Sequence, residues 1–595
     1  MQPNRSPSPA NPVPQPQPSK DHHLTADVRE LEKVSTSHPS NALANGPHDP
    51  VGQNSDRLVS YIWLPPRGEA EYLVERYLDG VSFIHHVVHP PRIREAVVKL
   101  YSDLDSEGQA DLGTVTLLLS LLASVTYLLG PEECDIDQPP TLAGASEESL
   151  SWIRITLDVL EYSQRSNLGS IESLQAMIIV SFLIGNIEGA SQRFRSMIAV
   201  ASTLARELGL HRIDQGKNYW TTESPIRGMV DAEVGRRLWW YLAATDWYED
   251  PLTVRVKTAK LVYRLLTRYS GPAAGAYTVH VSHMAVKKPQ NIDDHDLLDD
   301  QIVRDKPSSV PSVMSYSLQR IRLAEICRNA VDHASLWSPE LRGANYSNIV
   351  FIDTELTVFS NALPWFFAID DEGSGRLSQL DFQQQTTIKV QRYLINTTLH
   401  TQRCILHLPY FAQSLETNVY AYSREVCLDA ARSVVQAELL IERDMLPFTN
   451  LRLKLSASLY GLFIANIIFF LEACLHKASG WPCALRSTAI EAFRLLMQAR
   501  GSSPMAARLW ETMTHISEKN KVSLPLSQAP NSLMEYASNL VTDDSEDTSP
   551  SRGAIGAQQQ NQLVSDDWGD INLSCDGQDT FDPLGWAASI GLVEE

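Results

Sequence analysis

The stretch "SIESLQAMIIVSFLIGNIEGASQRFRSMIAVASTLARELGLHR", residues 170–212, decides the fold class. Ser170 predicts a helix start because its hydroxyl suits the N-cap, and residues 174–184 are apolar on nearly every side, as in an enclosed helix. A break at residues 186–189 precedes a second helix, and Gly209 suits the left-handed position that ends one. The stretch therefore predicts two antiparallel helices joined by a short loop. The apolar stripe of the second helix is Phe194, Met197, Ile198, Ala201, Leu204, Ala205 and Leu208.

The same helical spacing continues over most of the chain. Residues 59–524 carry apolar positions three and four apart, separated by loops rich in Pro, Gly and Asp, without a comparable series of strands. Residues 1–58 are rich in Pro and Ser and lack this periodicity, so they cannot bury enough apolar surface to offset the entropy of ordering. The sequence predicts an all-α fold, a large multi-helix domain of packed helical hairpins, behind a disordered N-terminal arm.

The composition argues against several classes of protein. A formal net charge of −21 disfavours nucleic-acid binding by the whole chain, since affinity for phosphates comes from Lys and Arg. Residues 1–20 lack an apolar signal-peptide core, and the apolar runs 114–130 and 459–475 are shorter than a membrane span, so we expect core helices and no membrane partner. The cysteines are widely spaced and without a C-x-x-C pair, which favours a reduced intracellular compartment over disulfides or zinc. They are Cys134, Cys327, Cys404, Cys427, Cys474, Cys483 and Cys575.

The stretch "EVGRRLWWYLAATDW", residues 233–247, combines two arginines with tryptophans and allows two interpretations. It forms either an aromatic and basic binding surface or a helix buried in a core. A helical wheel places apolar side chains on two faces, so little of the helix can face water, which favours the buried helix. Glu233 and Arg237 stand four apart and are expected to pair along the exposed edge. We expect Arg236 and Arg237 to be solvated or paired, and not to bind phosphate.

The last part of the chain, residues 525–595, changes character. From Val541 onward acidic residues accumulate, and Arg552 is the single basic residue among them. Bulky apolar residues are interspersed with the acids, which is the composition of an acidic-hydrophobic activation segment. The alternative is an inert solubilising tail. The apolar positions expected to dock a partner include Trp568, Ile571, Leu573, Phe581, Leu584 and Trp586.

Two motifs in order carry a resemblance to a known family. "LARELGLHR" (204–212) followed by "EVGRRLWWYLAATDW" resembles the middle homology region of fungal zinc-cluster transcription regulators, and the resemblance covers about residues 60–480. It extends through "YLVERYLDGVSFIHHVVHPP" (72–91) and "AYTVHVSHMAVKKPQNIDDHDL" (276–297). The motif residues are Leu204, Leu208, Gly209, Leu210, His211, Arg212, Arg236, Arg237, Leu238, Trp239, Trp240 and Asp246.

This resemblance implies a function and a location. An all-α regulatory domain in a nuclear protein would control transcription of target genes, which could form a metabolic or specialised-metabolite biosynthetic cluster. The implied partners are promoter DNA and the transcription co-activator machinery, and homodimer formation is left open. No residue is proposed as catalytic, cofactor-binding or metal-binding, and no enzymatic activity is expected.

One defining part of the family is not visible in this sequence. The DNA-binding module of such regulators holds two zinc ions with six cysteines near the N-terminus, whereas no cysteine precedes Cys134 here. Zinc is therefore expected as a cofactor only if such a cluster exists outside this sequence. Three explanations stay open: a missing upstream exon, a co-regulator that acts through a partner, or DNA contact by an unrecognised element.

A second departure lies directly after the tryptophan motif. Residues 248–269, "YEDPLTVRVKTAKLVYRLLTRY", are basic and separate the motif from a glycine-rich segment that follows it almost directly in the family. They are interpreted as a partly translated intron, as a basic amphipathic helix that contacts DNA or a partner, or as a plain surface insertion. A spliced transcript that encodes the whole segment would exclude the intron.

Two groups of residues that could bind a metal ion are possible signs of an enzyme. "DDHDLLDD", residues 293–300, is comparable to the magnesium motif of all-α terpenoid synthases, but its spacing differs and no second ligand set follows. We expect an acidic loop with helix-capping aspartates there; the enzyme alternative predicts magnesium binding by Asp293 and Asp296. His85 and His89 stand four apart, but no glutamate completes a zinc motif and a proline pair follows.

Overall fold

The structure, a computed structural model, describes most of the helical part of the chain. The described residues are 34–35, 62–106, 110–129, 145–165, 169–215, 228–248, 277–298, 304–333, 342–369, 375–411, 414, 418–444, 449–475, 483–520 and 525. All but the first residue of the predicted activation tail, 525–595, and nearly all of the N-terminal arm lie outside them. Residues 249–276, which include all but the first residue of the predicted insertion, also lie outside them.

The described residues form fourteen α-helices and one short strand pair. The helices are α1 (Arg67–Gly80), α2 (Pro90–Asp105), α3 (Leu112–Leu128), α4 (Ala145–Arg165), α5 (Ile171–Glu188), α6 (Gln192–Glu207), α7 (Met229–Tyr248), α8 (Ser315–His333), α9 (Arg342–Asn361), α10 (Phe382–Phe411), α11 (Ala421–Arg443), α12 (Ser456–Leu475), α13 (Cys483–Ala499) and α14 (Pro504–Asn520). Strands β1 (Val34–Ser35) and β2 (Ile62–Trp63) pair in parallel, with Val34 opposite Ile62. The all-α fold class is confirmed.

The predicted pair of helices is α5 and α6, and it begins and ends largely as the sequence indicates. The Ser170 hydroxyl accepts a hydrogen bond from the Ser173 backbone N–H at 3.1 Å, which caps α5. Gly209 takes a left-handed conformation, with φ 76°, after α6. The predicted break at residue 186 is wrong, because α5 continues to Glu188 and Gly189 ends it. Asn186 stays helical and buried, and its Oδ1 accepts the Ser456 N–H at 2.8 Å.

Helix α5 is enclosed by other helices, as its apolar circumference predicts. It packs against α3, α4 and α6, and every residue from 174 to 187 except Phe182 is buried. Within the part of the chain that the structure describes, two helices are long and apolar enough to span a membrane by length and composition, Ile171–Glu188 and Ser456–Cys474. In each of them 78% of the apolar window is buried inside the protein. Burial of this extent is typical of the core helices of a globular protein.

The apolar side chains form two cores that share α10 and α11. The larger core extends from Ile62 to Leu455 and includes α1 to α9, and the smaller core joins the end of α10 to α11–α14. Helix α7 lies in the larger core, where it packs against α6 and α8. No residue between 233 and 247 is exposed. The prediction that the tryptophan stretch is a buried helix is therefore confirmed.

Candidate functional site

The charged residues of α7 form ion pairs inside the core. The Arg236 guanidinium donates to both carboxylate oxygens of Asp214, at 2.8 and 3.1 Å, and to Glu233 Oε2 at 3.1 Å. Arg237 Nη1 donates to Asp294 Oδ1 at 2.6 Å, and its Nε lies 3.7 Å from Glu233 Oε1. We call these five residues, together with His86, the α7 network.

The predicted pairing of Glu233 with Arg237 along an exposed edge is wrong in its location. The exposed fraction of each side chain is 1%, so the pair is buried. The helical wheel shows only the faces of α7 itself, and it cannot show that Asp294, 57 residues further along, covers this edge. Because a buried guanidinium needs a close carboxylate, Asp294 is the main partner of Arg237. The expectation that both arginines are paired agrees with this arrangement.

The loop of residues 277–298 is held against α7 by carboxylates that accept backbone N–H groups. Asp214 Oδ2 accepts the Lys287 N–H at 2.8 Å, and Glu233 Oε1 accepts the Gln290 N–H at 2.9 Å. The Trp240 indole donates to the Lys287 carbonyl at 2.8 Å. The loop is therefore bound to α7 by specific polar contacts. Two residues of the tryptophan motif, Glu233 and Trp240, bind the loop directly.

Asp246 and Trp247 fix the start of the same loop. The Asp246 carboxylate accepts the Thr278 hydroxyl and N–H, both at 2.8 Å, and the Val279 N–H at 2.7 Å. The Trp247 indole donates to the Val279 carbonyl at 2.9 Å. The chain positions on the two sides of residues 249–276 consequently lie next to each other.

Two opposing effects set the pKa values of the carboxyl groups in the α7 network: burial raises them, and the contacts with partner groups lower them. Burial raises the pKa of the Asp294 carboxyl, but the attraction and hydrogen bonds of His86 and Arg237 outweigh it, so this pKa lies well below its usual range. For Asp214, burial is likewise outweighed, by Arg236 and the N–H of residue 287, and the pKa is lowered. For Glu233 burial prevails over Arg237 and its other partners, and the pKa is raised.

The three histidines of "HHVVHPP" do not converge on a common point for a metal ion. His85 Nδ1 lies 3.4 Å from the Tyr77 hydroxyl, and burial lowers the pKa of His85 to about 3. His86 Nε2 lies 2.8 Å from Asp294 Oδ2, and His89 Nε2 lies 3.2 Å from the Asp294 carbonyl. These rings bind the loop and α1, and the arrangement does not favour the zinc interpretation of His85 and His89.

The acidic loop brings Asp293, His295 and Asp296 within 4.8 Å of one another, as a metal site would. A lysine occupies the position of the cation, because Lys306 Nζ lies 2.5 Å from Asp293 Oδ2 and 2.8 Å from Asp296 Oδ2. Asp293 also accepts the N–H of Val313 at 2.9 Å. The predicted helix-capping role is wrong for Asp293, because its side chain does not cap the 3₁₀ turn Asp294–Asp296 that follows it.

Sequence reasoning missed a second buried network, which joins α9, α10 and α11. Asp353 accepts hydrogen bonds from Arg403 at 2.7 and 2.9 Å and from the Tyr422 hydroxyl at 2.6 Å. His407 Nε2 lies 3.3 Å from Asp353 Oδ1, and its Nδ1 lies 2.9 Å from Ser423 Oγ. Asp, His and Ser thus occur in the order of a hydrolase triad, but all three are fully buried, so no substrate reaches the hydroxyl. Asp353 is 50 or more residues away from Arg403, His407 and Tyr422, so no local sequence signal marks the network.

The remaining motif residues lie close to the α7 network. Leu210 and Leu238 are fully buried, and the His211 ring packs on Trp239 with the centroids 5.8 Å apart. Arg212 is exposed. The structure describes the side chains of Cys327, Cys404, Cys427 and Cys474, and each is a free thiol. The predicted activation positions from Trp568 to Trp586 are outside the described residues.

Comparison with known proteins gives relatives but no match to a family model. The chain is 34% identical over 474 residues to the probable transcription factor lepB of Aspergillus flavus, covering 79% of this chain and 81% of lepB. It is 27% identical over 454 residues to the agnestins biosynthesis cluster transcription factor AgnL11 of Paecilomyces divaricatus, covering 76% of this chain and 62% of AgnL11. It is also 27% identical over 545 residues to the transcription factor TAS2 of Pyricularia oryzae, covering 83% of this chain and 63% of TAS2.

Proposed function

The chain belongs to a family of fungal transcription factors, and we propose that it regulates the expression of a biosynthetic gene cluster from the nucleus. The similarity to lepB, which extends over 79% of this chain, carries the family assignment. The cluster as target follows the name of AgnL11, which links that relative to the agnestins biosynthesis cluster. The charged groups of the α7 network bind each other and the neighbouring loop, which agrees with the expectation that Arg236 and Arg237 do not bind phosphate.

The proposal divides the chain into three parts. Residues 59–524 act as the regulatory domain, and residues 525–595 act as the activation tail that contacts the transcription co-activator machinery. Residues 1–58 act as the N-terminal arm, of which Val34–Ser35 pair with β2. Within the regulatory domain, residues 248–269 are an insertion. The close approach of Asp246 and Thr278 supports this interpretation, because an insertion is tolerated best where its ends already meet.

The route to promoter DNA is the open part of the proposal. One route is a zinc-cluster module like that of the family, and the alternative is a co-regulator that reaches promoters through a partner protein. The negative net charge of −21 favours a separate module or a partner over DNA contact by the helical domain itself. A homodimer is compatible with both routes.

A metal-dependent enzyme of the terpenoid-synthase kind is the less supported alternative. Its metal ligands would be Asp293 and Asp296, and both carboxylates are already paired with Lys306. A divalent cation would have to displace this ammonium group before it could bind. The proposed role as a regulator requires no such rearrangement. The transcription factors to which this chain is similar match it over most of its length.

A tethered reporter assay tests the activation tail. Residues 525–595, fused to a heterologous DNA-binding domain, are expected to activate a reporter gene because apolar side chains among acidic residues dock co-activators. Replacing Trp568, Phe581 and Trp586 with alanine keeps the negative charge and removes the docking groups, so most of the activity should be lost. Replacing Gln558, Gln559 and Gln560 with alanine in the same fusion is the matched control, because it removes neither an acidic nor an apolar side chain. A tail that does not activate, or one whose activity survives loss of the aromatic residues, contradicts the proposed role.

A further inference from the structure

Residues 82–89 form an irregular segment that is buried in the larger core. Its backbone carbonyls accept hydrogen bonds from glutamine side chains on two helices that are distant in the sequence. Gln175 Nε2 on α5 donates to the Val87 carbonyl at 2.7 Å, and Gln391 Nε2 on α10 donates to the Phe83 carbonyl at 3.0 Å. Because a buried loop has no water to satisfy its backbone, such contacts fix its conformation.

His86, in the middle of this segment, has a strained backbone. Its φ is 49°, and it is the one non-glycine residue with positive φ in the described part of the chain. In the left-handed region the Cβ approaches the following carbonyl, which costs free energy for every residue other than glycine. The backbone N–H of His86 donates to the Ser82 carbonyl at 2.7 Å, and its Nε2 lies 2.8 Å from Asp294 Oδ2. Strain of this kind persists only where the surroundings impose it.

Asp294 contacts the strained residue and also neutralises a buried cation, the guanidinium of Arg237. Its Oδ2 holds His86, and its Oδ1 accepts the Arg237 Nη1 hydrogen bond at 2.6 Å. The exposed fractions of the His86, Asp294 and Arg237 side chains are 6%, 10% and 1%. One carboxylate therefore connects the strained segment, the 277–298 loop and α7. Loss of this carboxylate would remove the contact of His86 Nε2 and, among the described residues, would leave Arg237 with only the 3.7 Å contact to Glu233.

The 277–298 loop is bound to α7 mainly by polar contacts. Asp246 and Trp247 bind its start, and the side chains of Trp240 and Glu233 bind the backbone of Lys287 and Gln290. Its buried apolar side chains include Val279, Ile292 and Leu297. Segments held mainly by polar contacts belong to the low-stability end of a protein and open without global unfolding.

We propose that Asp294 is a conformational latch. In the closed state its carboxylate holds His86 in the left-handed conformation and the 277–298 loop on α7. In the open state His86 relaxes, the loop leaves α7, and the charged face with Arg236 and Arg237 becomes accessible. The regulatory role of the latch rests on the proposed function: in a transcription regulator, opening changes the output of the activation tail.

Amide hydrogen exchange of the full chain tests the latch itself. Asp294→Asn keeps the shape of the side chain and removes the charge, so exchange in residues 82–89 and 284–297 should rise by about tenfold or more, because the buried partners lose their counter-ion. Exchange in α13 and α14, which do not contact either segment through a described hydrogen bond, should not change. Asp296→Asn is the matched control, because Asp296 lies in the same turn but pairs with Lys306. If both segments of the Asp294→Asn protein exchange only as fast as the core helices, the latch does not exist.

A second pair of variants covers the case that Asp294→Asn fails to fold. His86→Gly and His86→Ala both remove the imidazole, but glycine adopts a φ of 49° without steric cost. The latch predicts slower exchange of residues 82–89 in His86→Gly than in His86→Ala. Equal exchange in the two proteins would show that the backbone at this position stores no strain, and would overturn the latch.

A reporter assay separates the latch from the proposed function. The full chain is fused to a heterologous DNA-binding domain, with Asp294→Asn and Asp296→Asn as variants. A changed output for Asp294→Asn alone supports the regulatory latch. An unchanged output together with faster exchange shows that the latch opens but does not regulate. If the unsubstituted fusion is inactive, the proposed function fails, and the exchange measurements still decide whether the latch exists.

Discussion

At the scale of single residues, the core of this protein depends on charged groups that lie close to their partners. Arg237 and Asp294 are both nearly inaccessible, and their atoms approach to 2.6 Å. Removing one partner of such a pair costs about 3–5 kcal/mol, because the other charge stays buried without compensation. The sequence indicates that Arg237 and Glu233 share a helix face, but it contains no signal that Asp294 covers that face. Only the folded chain brings these residues together.

A pair of tryptophans in α7 gives a prediction at this scale. Trp239 and Trp247 are 2% and 0% exposed, but only the Trp247 indole has a hydrogen-bond partner, the Val279 carbonyl. Both Trp→Phe variants lose similar apolar area. Trp247→Phe also leaves a buried carbonyl unsatisfied, so it should lower the free energy of unfolding by about 1–3 kcal/mol more than Trp239→Phe. Urea denaturation of the two variants measures the difference. Equal losses would contradict the role assigned to the Trp247 hydrogen bond.

At the scale of elements, local signals fixed the helix ends that depend on local chemistry. The Ser170 cap and the Gly209 termination were both predictable, because each depends on one residue and its immediate backbone. The end of α5 was not predictable in the same way. Asn186, which often ends helices, stays helical here because its side chain caps the backbone N–H of Ser456, a residue 270 positions away. Tertiary contacts thus overrode local preference.

The insertion gives a prediction for an element. Replacing residues 250–275 with a Gly/Ser linker of about six residues should change the free energy of unfolding by less than about 1 kcal/mol, because the ends already meet and loop closure depends weakly on length. Chemical denaturation followed by tryptophan fluorescence measures this value. Asp246→Ala in both backgrounds is the control, since it removes the contacts to Thr278 and Val279. A shortened protein that does not fold would show that the segment belongs to the core.

At the scale of the whole molecule, the helical class and the enclosed core helices follow from the sequence, because periodicity reports burial directly. The sequence does not indicate that α10 and α11 contribute side chains to both cores. The Asp353 network joins three helices through residues at unrelated spacings, which no sequence pattern marks. Two motifs predict a fungal transcription factor family, and the similarity to lepB over 79% of the chain confirms it.

Comparison of transcripts between the wild-type fungus and a strain in which the gene is deleted tests the central claim most directly. The account predicts that deletion lowers the transcripts of a contiguous set of biosynthetic genes, and that the intact coding sequence restores them. A complementing copy without residues 525–595 should not restore them. If the deletion leaves all neighbouring and distant biosynthetic transcripts unchanged under conditions in which the protein is made, this chain does not regulate such a cluster.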